Sequence, residues 1–198
     1  MTRLAHARAA LAAAEERAGV TPGDYGHPLT GIWPSLIPAQ RLRGGVVQIS
    51  ARYLLWPVMA QMMGAHGWAA VLGMEDIGWQ AAIDAGVDIG RVMTVPGPAS
   101  AAVVAAAIDG LAVVVVGETT RLNAADRRAL GGRIRSRGTC FLTTAGWSGA
   151  HRVVARTDTA LGCDDGAGWI ESLIVDTAAG RLQAEPAQIR AYRVLAAV

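Results

Sequence analysis

All 18 positive side chains of this 198-residue chain are arginine, and lysine is absent. Lysine chemistry, whether a Schiff base or an ammonium set against a terminal phosphate, is therefore closed to it. The remaining reactive groups are scattered. His6, His27, His66 and His151 fall in four different segments, and none pairs at the i, i+4 spacing of a helical metal site. Cys140 and Cys163 could form at most one disulfide and are too few for a thiolate zinc site. The GWSGA stretch at 146–150 lacks the glycine two places after the serine that a nucleophile elbow requires. The GCDDGAG turn lacks the alternating oxygen ligands and closing glutamate of a calcium loop.

One segment stands where chemistry would be expected. The β-branched run Val46 to Ser50 leads into a helical stretch, and alternating strand and helix signals follow, the plan of a phosphate-binding nucleotide hydrolase. Such a loop needs glycines so that backbone amides can surround phosphate, a lysine for the terminal phosphates and a hydroxyl for magnesium. Here Val46–Ser50 is followed by Ala51, Arg52, Tyr53, Leu54, Leu55, Trp56 and Pro57, with no glycine before Gly64. The second magnesium element, an aspartate ending a buried strand, is replaced by Gly117 and Glu118. Three missing charge-assisted contacts at roughly 1.5–3 kcal/mol each weaken binding by about three to six orders of magnitude. Bulky side chains fill the phosphate position, and hydrolysis by the usual route is not expected.

The elements that position this segment read as an α/β protein. Strands are expected at Val46–Ser50, Trp68–Leu72, Val92–Val95, Leu111–Val116 and Cys140–Thr144. Helices are expected near Leu54–Ala65, Gly78–Ala85, Ala99–Ile108 and Ala124–Arg137. Alternation of this kind implies a mostly parallel sheet flanked by helices, and Val113–Val116, apolar at every position, suits a strand buried on both faces. Residues 1–38 read as an alanine-rich helix followed by a Pro/Gly-rich lead-in. Residues 39–198 read as one domain whose tail, from about residue 150, adds antiparallel strands as an extension of the sheet. No apolar run approaches the ~18 residues of a membrane span, and the charged amino terminus does not read as a secretory signal. A soluble, cytoplasmic protein is the expectation.

The stretches RLRGGVVQIS, WAAVLGMEDIGWQAAIDAGVDIGRVMTVP and IDGLAVVVVGE resemble, in order and spacing, the core of RecA-like recombinases. The resemblance covers about Ile32 to Thr144, and AGVDIGRVMTVP is its most specific part. Within that superfamily the degenerate loop and the arginine bias resemble the actinobacterial ImuA′ type, related to SulA. The resemblance implies a non-catalytic accessory protein of the damage-induced mutagenesis complex, needing no cofactor. It would bind an ImuB-like Y-family polymerase homologue and, through it, work with an error-prone DnaE-type polymerase and the sliding clamp. The recombinase catalytic glutamate would fall near Glu75, left without a substrate. A SulA-like inhibitor of the cell-division protein FtsZ and a divergent ATPase using Arg52 and Glu118 are the alternatives.

Partner contact is assigned to Trp56, Trp147, Trp169, Arg181, Arg190, Tyr192 and Arg193, because exposed tryptophans anchor interfaces and sheet edges accept partner strands. Arg121, Arg127, Arg128, Arg133, Arg135 and Arg137, offset only by Asp126, give a local charge of +5. Of these, Arg127, Arg128, Arg133, Arg135 and Arg137 form a candidate DNA or self-association patch. They are expected to spread around a helix interrupted at Gly131–Gly132, while residues 157–185 carry six acidic side chains against Arg181. Opposed patches suit self-association or an oriented partner.

Overall fold

The computed structural model describes residues 36–37, 39–164, 167–178, 180–184 and 193–194. The expected amino-terminal helix, Trp33, Arg190 and Tyr192 lie outside the described residues. In chain order the elements are α1 (Ala39–Leu42), β1 (Val46–Ile49), α2 (Leu55–Met63), β2 (Ala69–Leu72), α3 (Trp79–Asp84) and β3 (Val92–Val95). There follow α4 (Ala101–Gly110), β4 (Val113–Val116), α5 (Ala124–Arg137), β5 (Cys140–Thr143), β6 (His151–Val153) and β7 (Ala155–Asp164). The chain continues through β8 (Ala167–Thr177), β9 (Gly180–Ala184) and β10 (Arg193–Val194).

The first six strands form one sheet in the order β3-β2-β4-β5-β1-β6, parallel throughout. The parallel α/β plan expected from the sequence is therefore present. Its central strands are apolar at nearly every position because both faces are covered. Alternate side chains serve opposite layers. Val47, Ile49, Val71, Val113, Val115 and Leu142 pack with Leu54 through Met63 and with Ala82 of α3. Ala70, Leu72, Val114, Val116 and Phe141 pack with Val104 and Ile108 of α4 and with Leu130 and Ile134 of α5.

Beyond β6 the expected antiparallel strands are present, but their placement differs from the expectation. The antiparallel strands do not extend the sheet. β6 adds to β1 in parallel, and β7–β10 form a separate four-stranded antiparallel sheet in the order β10-β9-β8-β7. Only Val154 separates β6 from β7, and the chain changes sheet there. The new sheet is tied to the core because Val175 of β8 is fully buried in the layer that also holds α2, with Ala155 and Leu173 against it.

Helix α5 is continuous through Gly131–Gly132, contrary to the break expected there. Its ends are firmly set. The Asn123 side chain accepts hydrogen bonds from the amides of Ala125 and Asp126, both at 2.8 Å, and the Asp126 carboxylate accepts one from the Asn123 amide at 3.1 Å. At the other end Gly138, at φ +73°, adopts the left-handed conformation that closes a helix. A capping box is worth about 1 kcal/mol, comparable to the cost of one helical glycine. Burial of Leu130 and Ile134 supplies the rest.

Phe141, fully buried on β5 between α5 and the sheet, is the largest such side chain. Phe141→Ala is expected to lower the unfolding free energy by about 3–5 kcal/mol, read as a drop in the urea midpoint with an unchanged slope.

Candidate functional site

In an open parallel sheet, ligands collect at the carboxyl ends of the strands. Here those ends carry Ser50 to Arg52 after β1, Gly73 after β2, Gly117 and Glu118 after β4, and Thr144 after β5. Arg52 Nη2 and Glu118 Oε1 form an ion pair across the mouth, and the Thr144 hydroxyl donates to Glu118 Oε2. The two residues that an arginine-based nucleotide site would need thus satisfy each other.

The loop itself offers no cradle. Residues Arg52–Leu54 make a single 3₁₀ turn that runs directly into α2, and Leu54, Leu55 and Trp56 point into the core. From above, the second sheet closes the same ground. Ser50 Oγ accepts from the Ala155 amide at 3.0 Å and donates to its carbonyl, and Tyr53 and Thr157 share a hydroxyl contact at 3.4 Å. At β4 a side chain in place of Gly117 would strike the Gly73 carbonyl, and one in place of Gly73, at φ +66°, would strike Thr120. The position of the strand-end aspartate is closed by backbone packed on backbone. These residues do not fit a magnesium-bound triphosphate, because lysine, glycine clearance and the strand-end carboxylate are all missing. Among the described residues, no group of three or more His, Cys, Asp or Glu is arranged to hold a metal ion.

The residues singled out in the sequence are separated by the fold. Trp56 is 3% exposed within the core, so it is a packing residue and not the exposed anchor expected. Trp147 is 8% exposed, with its ring 5.2 Å from that of Phe141 and the Arg127 guanidinium 5.7 Å above it. It too is held inside, as the floor of an arginine contact. Trp169 lies in β8 and Arg193 in β10, with their side chains outside the described residues. Arg181 is exposed and paired with Asp176 at 3.0 Å.

The arginines of α5 divide into two sets. Arg133 and Arg137, one turn apart, both bind Asp109 of α4, at 2.7 and 3.1 Å. The Arg133 hydrogen bond, aided by Arg137, holds the Asp109 carboxyl below its usual range against partial desolvation. Arg127, Arg128 and Arg135 face the other way, with Arg41 of α1, around a groove of about 1000 Å³ between α5, the start of β1 and the 147–149 turn. The spread around the axis expected from the sequence is therefore a clean split, because Asp109 collects one pair. The sequence contains the i, i+4, i+8 spacing of Arg127, Gly131 and Arg135 that marks the groove face, but only with the helix unbroken does it become a stripe.

Glu118 generates a pH prediction. Burial opposes its charge, yet the hydrogen bonds from Thr144 and Arg52 together hold its carboxyl below the usual value. A depressed folded pKa contributes stability above the unfolded value of about 4.3. That stability is lost as pH falls through the folded value. With Arg52 and Glu118 exposed by 43% and 46%, the contribution is about 0.2–1 kcal/mol. The stability difference between the native protein and Glu118→Gln, measured by urea unfolding, is expected to be constant above about pH 5 and to shrink below pH 4.

Residues 35–149 match the family of MT3502 N-terminal domains, a span that takes in β1 to β5, the closed strand ends and the arginine groove, and stops before the second sheet. The uncharacterized protein Rv3395c of Mycobacterium tuberculosis is 40% identical over 111 residues, 54% of this chain and 54% of that protein. The aligned stretch is thus about half the length of that curated relative. With more than half of its residues inside the matched span, the chain belongs to the MT3502 N-terminal domain family.

Proposed function

We propose that this chain is a non-catalytic, RecA-like accessory protein of the ImuA type, an adaptor in damage-induced translesion synthesis that binds an ImuB-like Y-family polymerase homologue. The observation that carries the reading is the Arg52–Glu118 pair over a loop whose Leu54, Leu55 and Trp56 are committed to the core. A fold of this plan that no longer cradles triphosphate serves by contact. The RecA-like resemblance of residues 32–144 supplies the pathway, and the parallel sheet is compatible with it.

Partner contact is assigned to the second sheet and the tail after it, Arg181 to Arg193 included. The reason is physical: among the described residues β7 and β10 are the margins of a four-stranded antiparallel sheet, and a margin strand retains backbone groups able to pair with another chain. The path to a DnaE-type polymerase and the sliding clamp would then run through the polymerase homologue.

The test is biolayer interferometry of the purified chain against an immobilised ImuB-like homologue. The full chain is expected to bind saturably. A variant lacking residues 181–198, checked for cooperative unfolding, is expected to lose at least tenfold in affinity. No binding by the full chain contradicts the adaptor reading, and unchanged binding by the folded deletion removes the tail from it.

A further inference from the structure

We propose that the groove between α5 and the first strand binds the phosphodiester backbone of single-stranded nucleic acid. Among the described residues, four guanidiniums, those of Arg41, Arg127, Arg128 and Arg135, line it, and no carboxylate does. Arg41, Arg128 and Arg135 are exposed and make no ion pair among the described residues. The contrast with Arg133 and Arg137 on the same helix, both neutralised by Asp109, shows that the groove arginines are left uncompensated by position.

Arg127 adds an independent observation. Its Nη1 donates to the Gly146 carbonyl at 2.7 Å and its plane rests over Trp147, which fixes the guanidinium in place. Its Nε is buried and has no hydrogen-bond partner among the described residues. The arginine is thus ordered in advance at the groove wall by contacts in which only Nη1 donates a hydrogen bond among the described residues.

The ligand class follows from the rest of the lining. Apart from the arginines the walls are largely glycine, alanine and serine, and Trp147 is nearly covered by Phe141 and Arg127. A peptide partner would need pockets for alternate side chains, and a base-stacking site would need an open aromatic face. What remains is a row of planar forks suited to phosphate oxygens. Arg127 and Arg135 lie eight residues apart on one helix face, about 12 Å along the axis at 1.5 Å per residue. Gly131, buried midway between them, keeps the floor clear of side chain. A single flexible strand can descend into such a concavity, and the contact carries no base readout, so binding is indifferent to sequence.

This inference does not rest on the adaptor reading, and either can fail alone. The experiment is fluorescence anisotropy of the full chain with a labelled thymidine 20-mer between 50 and 200 mM salt. Four phosphate contacts predict a slope of log affinity against log salt of about −3, at roughly −0.7 per contact. The triple variant Arg41→Gln, Arg128→Gln, Arg135→Gln is expected to bind at least tenfold more weakly, with a slope near −0.7. The charge-matched control Arg121→Gln, Arg133→Gln, Arg137→Gln is expected to stay within twofold of the native protein, both variants being checked for native circular dichroism. Absence of binding at 50 mM salt overturns the proposal, as does equal weakening by the two triple variants. Equal competition by polyglutamate of the same length would reassign the groove to an acidic polypeptide, and tighter binding of a duplex would overturn the single-strand assignment.

Discussion

The ion pair of Arg52 with Glu118 joins the ends of two strands, β1 and β4, that are separated in the sheet by β5 and in sequence by 66 residues. In a parallel sheet those ends are where amides and charges would otherwise converge on a ligand. Here they converge on each other. Thr144, at the end of the intervening β5, completes the arrangement by donating to the same carboxylate. Three strand ends are thereby tied by side chains, and the loop above them turns its leucines and tryptophan into the core. The second sheet then has a firm place to dock, through Ser50 and Tyr53 below and Val175 inside.

Much of this architecture is legible in the sequence because it depends on patterns of single residues. Val113–Val116, four β-branched residues in a row, suits a strand covered on both faces, and the runs at Val46 and Val92 announce their strands in the same way. The α5 boundaries follow from local chemistry at Asn123 and Gly138. What escapes is whatever depends on distant pairing. Arg52 and Glu118 can be named as the charged pair of a divergent nucleotide site, but nothing in the sequence says that they engage each other. Trp56 reads as an exposed anchor beside a proline until the short 3₁₀ turn rotates it inward. The Gly131–Gly132 pair reads as a break because local propensity is all that the sequence displays, whereas capping and the burial of Leu130 and Ile134 decide the matter. The separate second sheet is illegible for a related reason: a strand's partner is set by where the chain turns, and Val154 marks that turn without any special residue.

Charge follows the same rule. Composition gives a formal net charge of +2 and a run of arginines around residue 130. It does not say that Asp109, contributed by the neighbouring helix, neutralises two of them while three others turn toward Arg41 and a glycine-lined cleft. The molecule therefore has one face of the sheet's end closed by its own charges and another surface where like charges gather without compensation.

The closed strand ends are tested most directly by isothermal titration calorimetry of the full chain with Mg-ATP. No saturable heat is predicted up to millimolar nucleotide, because lysine, glycine clearance and the strand-end carboxylate are all missing and Arg52 is already engaged. A saturable isotherm at micromolar nucleotide, abolished by Arg52→Ala, would contradict the account.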